Sequence, residues 1–573
     1  MKKLIGAIFV LVFAIMIIFS LTGHSEVQVK RTTARNFSSE FLSDLAEMDN
    51  QKGVSVVVGQ ETLSFVEEKP YVSAKGCLMF PVDQLTDAFN CSTQVYENGN
   101  ILIGKGSNSI SLYTNSAAAN INGQLVELKD KVQIVSDKLY VPIGDIAQYI
   151  NYDFVMNYKT ASASMARIAA EVELPKHYDM RELERVTPVR DQGLYGTCWA
   201  FASLAALETT LTPQENLMFS PDHMSLCNSF SLGQNEGGEY TMAIAYMASW
   251  QGPVYESDDP YGDGKTNPDL KARKHLEEAQ ILAPKDYVAI KEAIYKYGAV
   301  ETSIYTQMKT ANSWSGYYNR ERATYYYNQE ATCNHDIIIV GWDDDFPKEY
   351  FTITPENDGA FICKNSWGTE FGEDGYFYVS YEDANIGTTN VVYTKLGDAN
   401  NFDNIYQSDL LGWRGQLGYE KDQAYFANVY RAGEDEELAA VSFYATDVDT
   451  TYQVYVVPEF EDEDSLNDRK LVAEGSFEQA GYYTVRLDEA VKLKDNQKFA
   501  VVVHIQTPGA VHPVAIEYDA DSRTREFDIT DGEGYISLYG NKWMSAEKNK
   551  DCNLCLKAFT NDSLSLIHIS EPT

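Results

Sequence analysis

Apolar and polar positions divide this chain into stretches of different character. Residues 4–21, "LIGAIFVLVFAIMIIFSL", form an almost unbroken apolar run behind Lys2 and Lys3, and no later stretch is apolar enough to span a membrane. Residues 24–51 are polar and Ser/Thr/Glu-rich, the composition of a linker. From Val54, short apolar runs (Val56 to Val58, Ile101 to Ile103, Val132 to Val135) alternate with the turn signals Asn98-Gly99-Asn100 and Asn122-Gly123, which predicts mainly β structure. The run from Trp199 to Leu211 is Ala/Leu-rich without Gly or Pro, predicting a helix that begins at Cys198. Beyond Asn401, "AAVSFYATDVDTTYQVYVV", "GYYTVRL" and "KFAVVVHI" alternate in polarity between acidic loops, the pattern of an antiparallel β-sandwich.

The N-terminal run reads as an export signal. Its 18 residues exceed a usual signal-peptide core and no A-x-A-like cleavage site follows, so residues 1–23 are a signal peptide or a membrane anchor. In either case the lysines stay inside and the remainder is exported, to the extracellular space or the cell surface. Charge agrees with a soluble exterior: Lys and Arg total 46 against 84 Asp and Glu, a net charge of -38, which argues against nucleic acid and anionic membrane surfaces as partners. Eight cysteines scattered over 573 residues do not make a disulfide framework.

A repeat lies within the first β region. "LMFPVDQLTDAFNCSTQVYE" from Leu78 matches "LYVPIGDIAQYINYDFVMNY" from Leu139: a strand ending in Pro81 or Pro142, a short amphipathic helix, Asn90 or Asn151, then a strand. The pattern resembles the copper amine oxidase N-terminal-like domain. The name implies no copper here, because the segment holds no histidine; it reads as a binding or spacing module.

Nucleophilic chemistry is concentrated in the next region. A thiol at a helix N-terminus beside an imidazole can act as a nucleophile. Cys198 begins the predicted helix, His335 opens a strand-like run 137 residues later (335 − 198), and Asn365, 30 residues further (365 − 335), can orient the imidazole. The motifs "VTPVRDQG", "GTCWAFAS", "FSPDHMSLC", "EGGEYTMAIAYM", "NHDIIIVGWDDD" and "KNSWGTEFGEDGYFYVSY" follow in order, and over about 220 residues this region resembles a papain-like cysteine peptidase. The resemblance implies Cys198 as nucleophile, His335 as base, Asn365 as the orienting amide and Gln192 as an oxyanion donor. It implies a thiolate-imidazolium pair and an acyl-enzyme. Trp367 is implied to shield the Asn-His hydrogen bond, and Gly237, Gly238, Asn334 and Trp367 to contact substrate. A second specificity pocket is implied near Glu239, Ser303 and Cys333. No metal or other cofactor is called for.

The chain departs from that family in several places. Tyr195 stands where the family commonly has a cysteine, and Cys227 has no evident partner. Asp336 stands where many relatives carry a small residue; it either tunes His335 electrostatically or faces away, and the second reading is favoured. Cys333 and Cys363, each two residues before a catalytic candidate, can pair or stay free. Cys552 and Cys555 read as ordinary strand thiols.

The third region resembles the lectin-like domain appended to bacterial papain-like peptidases, which implies carbohydrate contact; Trp413, Tyr419 and Tyr425 are candidates for sugar stacking or for core packing. The last residues, "SLSLIHISEPT", do not continue the strand pattern and read as a non-native tail. The expected architecture is therefore multidomain: an α+β papain-like peptidase, with a helical half and a β-barrel-like half, between a mainly β duplicated N-terminal domain and a C-terminal antiparallel β-sandwich. The expected limits are 1–23 signal or anchor, 24–51 linker, 52–165 the amine oxidase-like domain, 174–397 the peptidase, 398–562 the sandwich and 563–573 the tail. All matched catalytic motifs lie inside 174–397, which is expected to be self-sufficient. The expected function is an exported cysteine endopeptidase acting on proteins or peptides; the alternative is a surface adhesion or glycan-binding protein whose peptidase domain is accessory or inactive.

Overall fold

A computed structural model describes residues 54–167, apart from short breaks at 59–60, 66–67, 90, 97–98, 106–107, 122–123 and 159, and residues 174–562. The expected export segment, linker and tail lie outside the described residues. Among the described residues no helix is long and apolar enough to cross a membrane.

The sequence repeat is a structural repeat. Strand Leu78–Pro81 leads through a 3-10 turn into helix Leu85–Phe89 and strand Ser92–Val95, and Lys138–Pro142 leads through Ile143–Ile146 and a 3-10 turn into Tyr152–Asn157. The two leading strands pair antiparallel, with Phe80 opposite Val141 and Pro81 opposite Tyr140. Each buries the apolar face of its short helix, through Leu85 and Phe89 in one copy and Ile143 and Ile146 in the other. Asn151 closes the second copy in the left-handed conformation at φ 63°, which Asn tolerates better than most residues. Between the copies runs a five-stranded antiparallel meander from Ser92–Val95 to Gln124–Glu127.

In the central region helix Cys198–Leu211 is buried along nearly all its length, which is why its apolar residues are not confined to one face. It lies among helices Pro221–Leu226 and Tyr240–Ala248 and the strand His335–Asp343. That strand pairs with Val300–Ile304 on one side and Ala360–Lys364 on the other. The sheet does not end at the expected domain limit: Glu278–Ile281 of strand Lys274–Ile281 pair antiparallel with residues 480–483 of Ala480–Lys492, giving 13 strands that continue into the C-terminal sandwich. A second sheet of six strands faces it across a core that includes Phe426, Phe443, Val454, Val501 and Val503.

Among the eight cysteines none is bridged. Cys333 lies near Thr388 Oγ1 at 3.8 Å while Cys363 is buried within its strand, so these two do not pair. Cys552 and Cys555 are buried thiols. Of the aromatic residues named for sugar contact, Trp413 packs on Tyr444, Tyr425 stacks on His504 beneath Arg469, and Tyr419 lies against the sandwich core.

Candidate active site

The site forms where three segments distant in sequence meet. The loop before the cysteine helix runs beside the segment after strand Ala360–Lys364: Gln192 N donates to Ser366 O at 2.8 Å and Gly368 N to Arg190 O at 3.1 Å. A buried network fixes this junction. Glu208, on the cysteine helix, accepts from Thr187 Oγ1 (2.6 Å), Arg190 Nη2 (2.9 Å) and Phe219 N (2.9 Å), and Lys364 Nζ donates to Thr187 O (2.7 Å). Burial lowers the Lys364 ammonium to about 7.

Cys198 is the first residue of its helix, half-buried, at the end where the helix dipole is positive. His335 is the first residue of strand His335–Asp343, and its Nε2 lies 2.8 Å from Asn365 Oδ1. That contact leaves Nδ1 as the nitrogen for a proton from the thiol. Trp367 stacks on the imidazole with ring centres 4.5 Å apart and planes at 24°. Burial lowers His335 to about 4, opposed by the Asn365 hydrogen bond.

Gln192 is held at both ends: Nε2 donates to Tyr195 O at 2.8 Å and Oε1 accepts from Ser366 Oγ at 2.7 Å. Gly238 packs on the Trp199 indole so closely that a Cβ would come within 2.4 Å of it, and Gly237 has φ +79° with open space where a side chain would point. The Asn334 side chain bonds the backbone of Thr306, Oδ1 accepting from N at 2.8 Å and Nδ2 donating to O at 2.9 Å, which fixes the loop before His335.

Asp336 overturns the reading that it faces away. It stands directly opposite Ser303 across the antiparallel pair, so Ser303 Oγ donates to its Oδ1 at 2.6 Å, and its Oδ2 accepts from Cys198 Sγ at 4.0 Å. The thiol hydrogen bond therefore goes to Asp336, not to His335. Burial first, and the Asp336 charge second, push the Cys198 thiol up to about 12. Burial also raises Asp336, to about 6.

Three other contributors escaped the sequence reading. Ser366 is legible only as part of "KNSWG". Arg414 and Arg523, from the C-terminal region, reach Glu239 beside the glycine pair at 3.0 and 3.3 Å, and nothing local in their sequence marks them.

Comparison with known proteins identifies the three regions. A family model described as "Papain family cysteine protease" matches residues 174–396, "Copper amine oxidase N-terminal domain" matches 57–165 and "Lectin like domain" matches 405–560. Cysteine proteinase 1 of Entamoeba histolytica is 30% identical over 284 residues, covering 47% of this chain and 84% of its own length. A viral cathepsin of Heliothis zea nuclear polyhedrosis virus is 27% identical over 261 residues, 44% of this chain, and the chain spans 66% of that relative, just under two thirds. Among solved structures, the cysteine protease and lectin-like domains of Cwp84, a surface layer associated protein of Clostridium difficile, superpose with a TM-score of 0.60 at 26% identity, covering 68% of this chain and 90% of that one.

Proposed function

We infer that this chain, which belongs to the papain family of cysteine proteases, is an exported endopeptidase that acts on protein or peptide substrates through Cys198. The observation that carries this reading is the His335-Asn365 contact at 2.8 Å beneath Trp367, in a chain whose Cys198 opens a helix. An inactive adhesion protein would have no need to keep that constellation intact.

The chemistry follows from the named groups. When the thiol turns from Asp336 toward Nδ1, its proton passes to His335 and the sulfur attacks the substrate carbonyl carbon. Unliganded catalytic contacts are commonly loose and tighten only with substrate. The Cys198 backbone N–H and the second N–H of Gln192 Nε2 face the developing oxyanion. His335 then gives its proton to the leaving amine, and water, deprotonated by the same nitrogen, releases the acyl group from sulfur. Gly237 and Gly238 receive an extended substrate backbone. The apolar residues 4–21 suit export with retention at, or release from, the cell surface, and a surface location is also what the name of Cwp84 states of that relative. The lectin-like region would add a glycan contact.

The test is turnover of a fluorogenic peptide by the full chain. Activity that disappears in Cys198→Ala supports the reading; activity that survives the substitution overturns it.

A further inference from the structure

The cleft beside Cys198 is acidic, but its three carboxylates are not equivalent. Glu301 is fully buried, with Ser203 Oγ donating to both oxygens at 2.9 Å and Tyr393 OH to Oε2 at 3.2 Å; burial raises its pKa well above the ordinary range. Glu239 is paired: Arg414 Nη1 lies 3.0 Å and Arg523 Nη1 3.3 Å from its Oε1, and Thr241 Oγ1 donates to the same oxygen. Asp336 differs from both. It is half-buried, its hydrogen bonds come from Ser303 and the Cys198 thiol, and among the described residues it forms no ion pair. A partly desolvated carboxylate with no cation is a costly group to keep, and a cation supplied from outside relieves that cost.

We propose that Asp336 is the specificity-determining residue of this peptidase and selects a lysine or arginine side chain two residues before the scissile bond, on the acyl side. The inference rests on the proteolytic reading and names its substrate class. The reacting carbonyl must approach Cys198 Sγ, and Asp336 Oδ2 is 4.0 Å from that atom. A residue of extended chain advances roughly 3.3 Å, so a long cationic side chain from the second residue spans the distance to the carboxylate easily. Ser303, implied to line the second specificity pocket, is the residue that orients Asp336, which places the carboxylate in that pocket. The lectin-like region assists indirectly, because Arg414 and Arg523 neutralise Glu239 and leave one uncompensated negative charge to be read.

The experiment compares kcat/KM on paired fluorogenic peptides that differ only at this position, lysine against its uncharged isostere norleucine, with the full chain. The lower end of measured couplings between close charges corresponds to about ten-fold, so the native protein should prefer lysine by about ten-fold or more. Asp336→Asn should bring the lysine/norleucine ratio to about one, and Asp336→Lys should invert it toward glutamate. The ratio is internal to each variant and does not depend on how much of the protein is folded. Turnover of the norleucine peptide with no lysine preference in the native protein would overturn the assignment of Asp336 and leave the peptidase reading standing. Turnover of neither peptide, together with no covalent labelling of Cys198 by an epoxide inhibitor, would overturn both.

Discussion

Arg414 of the lectin-like region donates to Glu239 of the peptidase at 3.0 Å, one residue past the Gly237-Gly238 pair. The guanidinium also donates through Nε to Trp413 O and lies over Phe230, so it is held rather than loosely placed. Removing it leaves Glu239 with Arg523 alone and loosens the substrate loop. Arg414→Ala should therefore raise KM several-fold with a smaller change in kcat. A double-mutant cycle with Glu239→Gln checks this: the two effects should be less than additive.

The same interface bears on the catalytic fragment. Although all matched motifs lie within 174–397, strand Lys274–Ile281 would lose its partner Ala480–Lys492 and expose an unpaired edge. A fragment ending at residue 397 should melt well below the full chain and aggregate more readily, as read by thermal denaturation and light scattering.

Gln192 and Ser366 should fail in a graded way. Loss of one oxyanion donor typically costs about 10² to 10³ in kcat, so Gln192→Ala should fall in that range while Cys198 still reacts with an epoxide. Ser366→Ala removes only the hydroxyl that fixes Gln192 Oε1 and should cost much less. Asn365→Ala should also be milder than loss of the nucleophile, because Trp367 continues to hold the His335 ring from its face.

Selectivity should depend on pH with a definite sign. Burial raises Asp336 to about 6, so its carboxylate is charged above that pH and neutral below it. Around it stand Cys198, whose thiol is pushed up, Glu301, whose carboxyl is raised by burial, and Glu239, paired with two arginines. The lysine/norleucine ratio should thus fall as pH drops from 7 to 5. In Asp336→Asn the ratio should be flat over the same interval.

Much of this was legible in the chain itself. The duplication around Pro81 and Pro142, the helix start at Cys198 and the strand start at His335 each follow from local composition and turn chemistry. The residues that escaped the sequence act through register or through distant contacts. Whether Asp336 faces the thiol depends on its pairing with Ser303, which no local pattern fixes. Asn334 looks like a substrate contact by position, and its amide also matches the Thr306 backbone in both directions. Arg414 lies 175 residues from Glu239. The 13-stranded sheet is invisible in sequence because strand periodicity says which face is buried, not which strand lies alongside.

The central claim is that Cys198 is the nucleophile, and intact-mass spectrometry after treatment with an epoxide inhibitor tests it most directly. One adduct per chain, mapped to Cys198, lost in Cys198→Ala and slowed in His335→Ala, is the predicted result. An adduct on Cys227 or Cys333 instead, or peptidase activity that persists without modification of Cys198, would contradict it.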